Sequence, residues 1–189
     1  MRTLLKTFIQ VLLRGGKTIS ILVIGKNNHE SSLDLCLSAR AFGAASVTFT
    51  GKRNPKIVRY VQNIARNWGG TFSVNFTDDW KGEIASRKNY KVVYLTRFGV
   101  PVNKIEYGLR TYKNLLVVVT LTENVKNLYR IADFNVSITA QPHCSAAAIA
   151  VFLHHFFEGR ELAMHFENAR YKVVPEERRI HFEKTKSNR

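Results

Sequence analysis

The sequence lacks several features that would assign it to a common class of protein. Its 189 residues include two cysteines, Cys36 and Cys144, which excludes a disulfide framework and fits a reducing compartment. The longest apolar stretch, residues 146–153, is far too short to span a bilayer. The N-terminus resembles a signal peptide only superficially, because Lys6 and Arg14 interrupt its apolar run. We therefore expect a cytoplasmic protein with no membrane partner.

Motifs for phosphate loops and metal sites are also missing. Neither GxGxxG nor GxxxxGK[ST] occurs, which argues against a metabolite-binding Rossmann protein. CxxC and HExxH are absent, so we expect no metal site, and His154 and His155 fit packing or surface positions better than metal ligation. Cys144 follows His143, but adjacent residues rarely point at one another, as a nucleophile and its base must. These patterns predict no catalytic residue.

Acidic residues are scarce, and their scarcity is uneven. The formal net charge is +15, and residues 1–113 hold nineteen Lys and Arg against six Asp and Glu. No acidic residue occurs between Leu35 and Thr77. A thermophile-like charged surface would carry matched glutamates as well as lysines. An unmatched basic stretch instead indicates contact with phosphate backbones, and therefore predicts RNA as the main ligand.

Two predicted helices carry basic stripes free of acids. In residues 54–68, apolar residues recur at helical spacing on one face while Lys56, Arg59 and Arg66 fall on another. Asn54 and Pro55 mark the start of this helix. The N-terminal segment repeats the design. The residues predicted to bind RNA are Arg2, Lys6, Arg14, Lys26, Arg40, Lys52, Arg53, Lys56, Arg59, Arg66, Arg178, Arg179, Lys184 and Lys186.

After Gly16 the chain alternates short apolar strands with helices, which predicts an α/β fold with a mainly parallel Rossmann-like sheet. We divide it into a basic amphipathic N-terminal helix over residues 1–16, an α/β domain over 17–175, and a basic C-terminal tail over 176–189. The tail lacks a core-forming pattern, so we expect it to be without fixed structure.

Five short strings carry a resemblance to a known family. They are SARAFGA at 38–44, NWGG at 67–70, VYLTRFG at 93–99, ADFNV at 132–136 and QPH at 141–143. In this order and spacing they resemble the archaeal tRNA cytidine-56 ribose 2′-O-methyltransferases of the SPOUT superfamily, from about residue 19 to residue 175. The resemblance implies a C-terminal trefoil knot, which general folding rules would not propose, and usually a homodimer. It also implies S-adenosylmethionine as cofactor, with Leu95, Gln141, Pro142 and His143 as its contacts.

Three loops depart from the family pattern. An arginine-rich GHRxxRDxR stretch is replaced by GKNNHESS at 25–32, GxEKVP by TLTENV at 120–125, and NQPHSE by AQPHCS at 140–145. A β-branched threonine replaces a glycine that permits close approach of the backbone to a ligand. A scaffold kept while its functional loops change is the trace expected of a fold that has lost its reaction.

The main hypothesis is therefore a catalytically degenerate SPOUT protein that binds rRNA or tRNA as a structural part of the ribosome or another ribonucleoprotein. It predicts no catalytic residue and no cofactor, with ribosomal proteins as further partners. The alternative is an active S-adenosylmethionine-dependent tRNA 2′-O-methyltransferase, for which the retained Leu95 and Gln-Pro-His segment speak. A third hypothesis, an unrelated metabolite-binding protein, is disfavoured by the missing phosphate loop.

Overall fold

Six parallel strands form the central sheet in this computed structural model, which describes residues 16–26, 28–121, 125 and 127–185. The strands are β1 (Thr18–Ile24), β2 (Ser46–Thr50), β3 (Ser73–Thr77), β4 (Lys91–Pro101), β5 (Asn114–Thr120) and β6 (Phe134–Ser137). Their order in the sheet is β3-β2-β1-β5-β4-β6. β1, β5 and residues 92–95 of β4 are almost wholly buried, because helices cover both faces of the sheet.

The helices divide between the two faces. The larger core lies under α1 (His29–Ala41), α2 (Pro55–Trp68), α4 (Val102–Leu109) and α6 (Ser145–Phe157). The smaller core lies on the other face, under α3 (Trp80–Ser86) and α5 (Leu128–Ile131). The apolar face of α2 is buried through Ile57 and Val61, as its periodicity predicts, and Asn54 caps the helix.

The order of the strands in the sheet departs from their order in the chain in the C-terminal half. β5 is inserted between β1 and β4, β6 is added outside β4, and α6 then returns to pack against α1. All five strand pairings in this sheet are parallel. The predicted α/β class and parallel sheet are confirmed, and this C-terminal half is where the resemblance implies a knot.

The terminal segments differ in how far they can be compared with the sequence. The predicted N-terminal helix lies almost wholly outside the described residues, and so do Arg2, Lys6, Arg14 and Lys186. The C-terminal segment was expected to be without fixed structure, and this is wrong for its first part. β8 (Phe182–Lys184) pairs antiparallel with β7 (Tyr171–Val173). The ring of Tyr171 contacts Trp68 of α2 and the ring of Phe182 contacts Tyr171, which holds the hairpin on the domain.

Among the described residues, no helix is both long enough and apolar enough to cross a membrane.

Candidate cofactor and RNA site

A cavity of about 780 Å³ opens at the carboxyl edge of the sheet, where β4 and β5 end. Ligand sites of parallel α/β sheets form at this edge because the loops after neighbouring strands converge there. The apolar part of the wall comes from Leu95, Val119, Leu121, Ile138 and Ala148. This volume and this largely apolar lining are typical of sites for a cofactor-sized ligand.

The cavity brings together three of the four predicted cofactor residues. Leu95 lies near the end of β4, whereas Pro142 and His143 belong to the loop between β6 and α6, yet all three line the same wall. Gln141 is exposed beside them in that loop and does not line the cavity. Their role in cofactor binding stays a prediction. The structure shows that Leu95, Pro142 and His143 line the same cavity.

Two tyrosines in the wall were missed by the sequence analysis. The rings of Tyr94 and Tyr129 meet edge to face, with centroids 5.5 Å apart. Their hydroxyls lie 3.2 Å from the hydroxyl of Thr120 and 3.4 Å from that of Thr96, respectively. Tyr94 belongs to the VYLTRFG string, which was a usable signal, but nothing in the sequence pointed to Tyr129.

The end of β4 bulges at the mouth of the cavity. Its register with β6 shifts between Leu95 and Val100, which pushes residues 96–99 out of the ladder. A Cβ at Gly99 would lie 2.4 Å from the main-chain nitrogen of Val136, so only glycine lets the two strands meet there. The VYLTRFG string therefore combines wall residues with the glycine that shapes the rim.

The N-terminus of α6 also faces this cavity, through Ser145 and Ala148. Its N-cap residue, Cys144, makes no capping hydrogen bond through its side chain. The free N–H groups of a helix start carry partial positive charge and can bind an anionic or carbonyl group of a ligand. Leu121, Val125 and Asn127, from the segment between β5 and α5, also line the cavity, and residues 122–124 and 126 of that altered loop lie outside the described part of the chain.

A second cavity, of about 390 Å³, lies at the same edge beyond β1 and β2. Lys26 and Lys52, both predicted to bind RNA, line it together with Asn28 and Asn54. β1 lies next to β5 in the sheet, and the N–H of Leu121 donates to the carbonyl of Ile24 at 2.9 Å. Lys26 therefore follows β1, and the neighbouring strand β5 ends in the wall of the larger cavity.

Arg40 is the predicted RNA-binding residue that the structure places elsewhere. It is 7% exposed, and its Nη2 donates a 2.6 Å hydrogen bond to the carbonyl of Gly69. Its guanidinium lies 4.7 Å from the ring centre of Phe166, and burial lowers the pKa of Arg40. Arg40 is turned into the core side of α1, so the prediction that it contacts RNA is wrong.

The other described residues of the predicted RNA set are exposed. Five of them lie in the acid-free segment that contains α2, and one follows β1. The other three lie in β8 or in the loop between β7 and β8. They are Lys26, Lys52, Arg53, Lys56, Arg59, Arg66, Arg178, Arg179 and Lys184.

The ADFNV string has a structural explanation at the edge of the sheet. Asp133 accepts hydrogen bonds from Lys91 Nζ and from the N–H of Val92, both at 2.8 Å, and so joins the start of β4 to the start of β6. Burial opposes ionisation of this carboxyl, but these two hydrogen bonds outweigh it and lower the pKa of Asp133. Among the described residues there is no cluster of side chains suited to hold a metal ion.

Comparison with known proteins agrees with the resemblance. The sequence model of a family described as tRNA ribose 2′-O-methyltransferase, aTrm56, matches residues 68–183. The tRNA (cytidine(56)-2′-O)-methyltransferase of Methanothermobacter thermautotrophicus is 39% identical over 147 residues, which are 76% of this chain and 82% of that protein. The enzyme of the same name from Thermococcus kodakarensis is 32% identical over 170 residues, 86% of this chain and 94% of that protein.

Solved structures support the fold. The TrmH/SpoU tRNA modifying enzyme of A. aeolicus superposes with a TM-score of 0.57 at 15% identity, over 84% of this chain and 86% of that one. The SpoU methyltransferase AviRb from Streptomyces viridochromogenes, crystallised with AdoMet, gives a TM-score of 0.59 at 20% identity, over 76% of this chain and 58% of that one. The predicted SPOUT fold is thereby confirmed.

The comparisons contradict the main hypothesis. The relatives that match most of this chain's length are named as methyltransferases. The hypothesis of a catalytically degenerate ribosomal component that needs no cofactor is therefore wrong. That hypothesis rests on changed glycines and arginines in three loops, and such changes do not by themselves show that a reaction is lost. The cavity lies where β4, β5 and α6 meet. This chain belongs to the tRNA ribose 2′-O-methyltransferase family.

Proposed function

We propose that this chain is an S-adenosylmethionine-dependent methyltransferase that acts on the ribose 2′-hydroxyl of a cytidine in tRNA, as the names of its relatives state for them. The observation that carries the proposal is the cavity at the carboxyl edge, which unites the two matched strings around Leu95 and around Pro142 and His143.

The cavity fits the cofactor by its own chemistry. Apolar side chains form most of the wall, which suits a nucleoside ring, and hydroxyls of Tyr94, Thr120 and Tyr129 offer hydrogen-bonding atoms. The start of α6 suits a carboxylate group, because helix N-termini bind anions through main-chain N–H groups and the Cys144 side chain does not occupy them. We assign cofactor contact to Leu95, Pro142 and His143, with Gln141 at the rim.

S-adenosylmethionine would supply an electrophilic methyl group for the ribose oxygen, and Leu95, Pro142 and His143 would hold the cofactor in the cavity. The chain's own residues hold the reactants in register, and such positioning is a large part of the rate acceleration. We assign Lys26 and Lys52 to the phosphates beside the reacting ribose, because they line the adjoining cavity on the same edge of the sheet.

Cofactor binding is tested with a variant that fills the cavity. Titration calorimetry with S-adenosylmethionine should show binding to the wild type and none to Ser145→Phe, because residue 145 lines the cavity. Ser86→Phe, an exposed position at the end of α3, is the matched control and should bind normally. Absence of binding to the wild type at millimolar cofactor would refute the proposal.

Transfer is tested with radioactive cofactor and two tRNA transcripts that differ only at position 56. Methylation of the transcript with cytidine there, and not of the transcript with uridine, is the expected result. Ser145→Phe should abolish it and Ser86→Phe should retain it. Cofactor binding without transfer to any tRNA would also refute the proposal.

We further propose that the nine exposed basic residues of the predicted set contact the tRNA. Each phosphate contact lowers log K by roughly 0.7–0.9 per tenfold rise in salt concentration. Replacing Lys56, Arg59 and Arg66 by alanine should therefore reduce the slope by about two to three units, as measured by fluorescence anisotropy with tRNA. An unchanged slope would mean that this face of α2 meets only solvent. A homodimer and a cytoplasmic location stay predictions, and sedimentation velocity tests the first.

A further inference from the structure

An aromatic row lies at the C-terminal end of α2, and the cofactor cavity does not account for it. It consists of Trp68, Tyr171 and Phe182, with ring centroids 6.1 Å apart for the first pair and 5.7 Å apart for the second. Phe182 is 55% exposed, and Ile180 beside it in the chain is 97% exposed. A contiguous exposed group of this kind on a domain that already has two cores indicates a contact surface.

The row is held firmly against α2. The N–H of Gly70 donates to the carbonyl of Glu167 at 2.8 Å, and the N–H of Arg170 donates to the carbonyl of Asn67 at 2.9 Å. Arg40 completes this junction through the carbonyl of Gly69 and the ring of Phe166. The hairpin therefore keeps one position relative to α2, and a platform that is already ordered loses little entropy when a ligand binds.

The two faces of the hairpin differ in charge. Because side chains alternate along a strand, the register places Tyr171 opposite Lys184, and Val173 opposite Phe182, on one face. Lys172 and Glu183 lie opposite each other on the other face. The face that carries the aromatic rings is therefore apolar and positive, while the hairpin's strand carboxylate lies on the reverse.

Cations surround the row on the α2 side as well. Arg66 lies in the last turn of α2, and the guanidinium of Arg170 lies 5.9 Å from the ring centre of Tyr171. Within the described part of the chain, Arg66, Arg170 and Lys184 form no ion pair. The exposed basic stripe of α2 runs along a helix of fourteen residues, about 21 Å long, from the second cavity to this row.

We propose that the aromatic row and the basic stripe of α2 form one RNA-contact surface, on which an unpaired base of the RNA stacks against Phe182 while Arg66 and Lys184 hold flanking phosphates. The proposal deepens the proposed function and rests on its assignment of RNA as substrate. Aromatic platforms with basic rims are how proteins hold unpaired bases irrespective of sequence. A second copy of the chain would bring the same cations to this surface, and juxtaposed like charges disfavour such a symmetric contact.

The test compares variants of Phe182 for tRNA affinity by fluorescence anisotropy. Phe182→Ala should weaken binding about tenfold, within the range that one stacked base contributes. Phe182→Trp should bind as well as the wild type, whereas Phe182→Leu, which keeps an apolar side chain without a ring, should lose about as much as Phe182→Ala. Tyr107→Ala removes an aromatic ring that is 74% exposed on α4, and as the control it should change nothing. Wild-type affinity in Phe182→Leu would overturn the stacking proposal.

A second measurement reports on the row directly. The chain has two tryptophans, so Trp80→Phe leaves Trp68 as the only indole. Titration with tRNA should quench its fluorescence, and Phe182→Ala should weaken that response at equal tRNA concentration. A Trp68 signal that does not respond to saturating tRNA would overturn the proposal. So would sedimentation that shows Phe182→Ala converting a dimer to a monomer with unchanged tRNA affinity.

Measuring both methyl transfer and tRNA affinity for Phe182→Ala distinguishes a wrong RNA-contact surface from a wrong proposed reaction. If methyl transfer occurs and Phe182→Ala leaves both the KM for tRNA and the affinity unchanged, only the surface is refuted. If no transfer occurs but Phe182→Ala still weakens tRNA binding, the surface stands and the proposed reaction falls. In an active enzyme, Phe182→Ala should raise KM for tRNA with kcat and cofactor affinity unchanged, because the row lies outside the cofactor cavity.

Discussion

The guanidinium of Arg40 connects α1, the end of α2 and the segment that leads to the hairpin, and its removal tests that role. Replacement by alanine takes away a hydrogen bond to the carbonyl of Gly69, which as a bond from a charged donor contributes about 1.5–3 kcal/mol. It also removes the contact with the Phe166 ring, worth about 0.5–2 kcal/mol. Part of this gain is offset by the cost of burying a cation, which is also why the pKa of Arg40 is lowered.

We therefore expect Arg40→Ala to lower the free energy of unfolding by about 2–4 kcal/mol. Arg40→Met keeps much of the side-chain volume and removes the buried charge, so its loss should be smaller, about 1–2 kcal/mol. Urea unfolding followed by circular dichroism measures both changes.

The matched control is Arg59→Ala on the exposed face of α2. It should change stability by less than about 0.5 kcal/mol and weaken tRNA binding in a salt-dependent way. Arg40→Ala should show the reverse pattern, with lower stability and an unchanged salt dependence of tRNA binding. A stable Arg40→Ala protein whose binding loses salt dependence would refute the structural role and restore Arg40 as an RNA contact.

Three further predictions concern other parts of the molecule. Gly69 has φ of 78°, and a Cβ there would lie 2.6 Å from a main-chain carbonyl oxygen. Gly69→Ala should therefore lower the free energy of unfolding by at least about 2 kcal/mol, as measured in urea. A loss below about 0.5 kcal/mol would contradict the geometry. Asp133→Asn should cost about 1 kcal/mol at pH 7. The pKa of the Asp133 carboxyl is lowered on folding, so its contribution is complete above the unfolded value of about 3.9 and is lost as pH falls through the folded value. The difference between wild type and variant should accordingly hold from pH 7 to pH 5 and shrink below about pH 4, and a difference that is unchanged at pH 3.5 would argue against ionisation as its source. Cys144 is exposed, whereas burial raises the pKa of Cys36 to about 12, so Ellman's reagent should modify one thiol of the folded protein quickly and the second only on unfolding.

Local patterns account for much of the fold. Asn54 and Pro55 start α2, Ile57 and Val61 bury one side of it, and these signals lie within a few turns of one another. The apolar runs of the strands likewise predict a parallel sheet, because burial on both faces leaves no polar alternation in them. The acid-free stretch is a property of composition, so the basic surface could be predicted without any coordinates.

Other features depend on what lies opposite a residue, which no local pattern contains. Arg40 and Arg59 are both arginines on amphipathic helices, yet one meets a carbonyl and an aromatic ring in the interior while the other meets solvent. The β8 segment has no core-forming pattern by itself. It is ordered because Phe182 contacts Tyr171, which in turn contacts Trp68 of α2.

Composition and local patterns were enough to predict the strands, the main helices, the charge and, through five short strings, the family. The location of the candidate site depends on the tertiary structure, because the order β3-β2-β1-β5-β4-β6 brings the ends of β4 and β5 and the start of α6 to one cavity. Leu95 and His143 stand nearly fifty positions apart in the chain, and their meeting follows from strand order and from the return of α6 across the sheet. The altered loops therefore gave a wrong prediction of lost catalysis. The cavity's wall belongs mainly to strands and a helix, which the packing of the core holds in place.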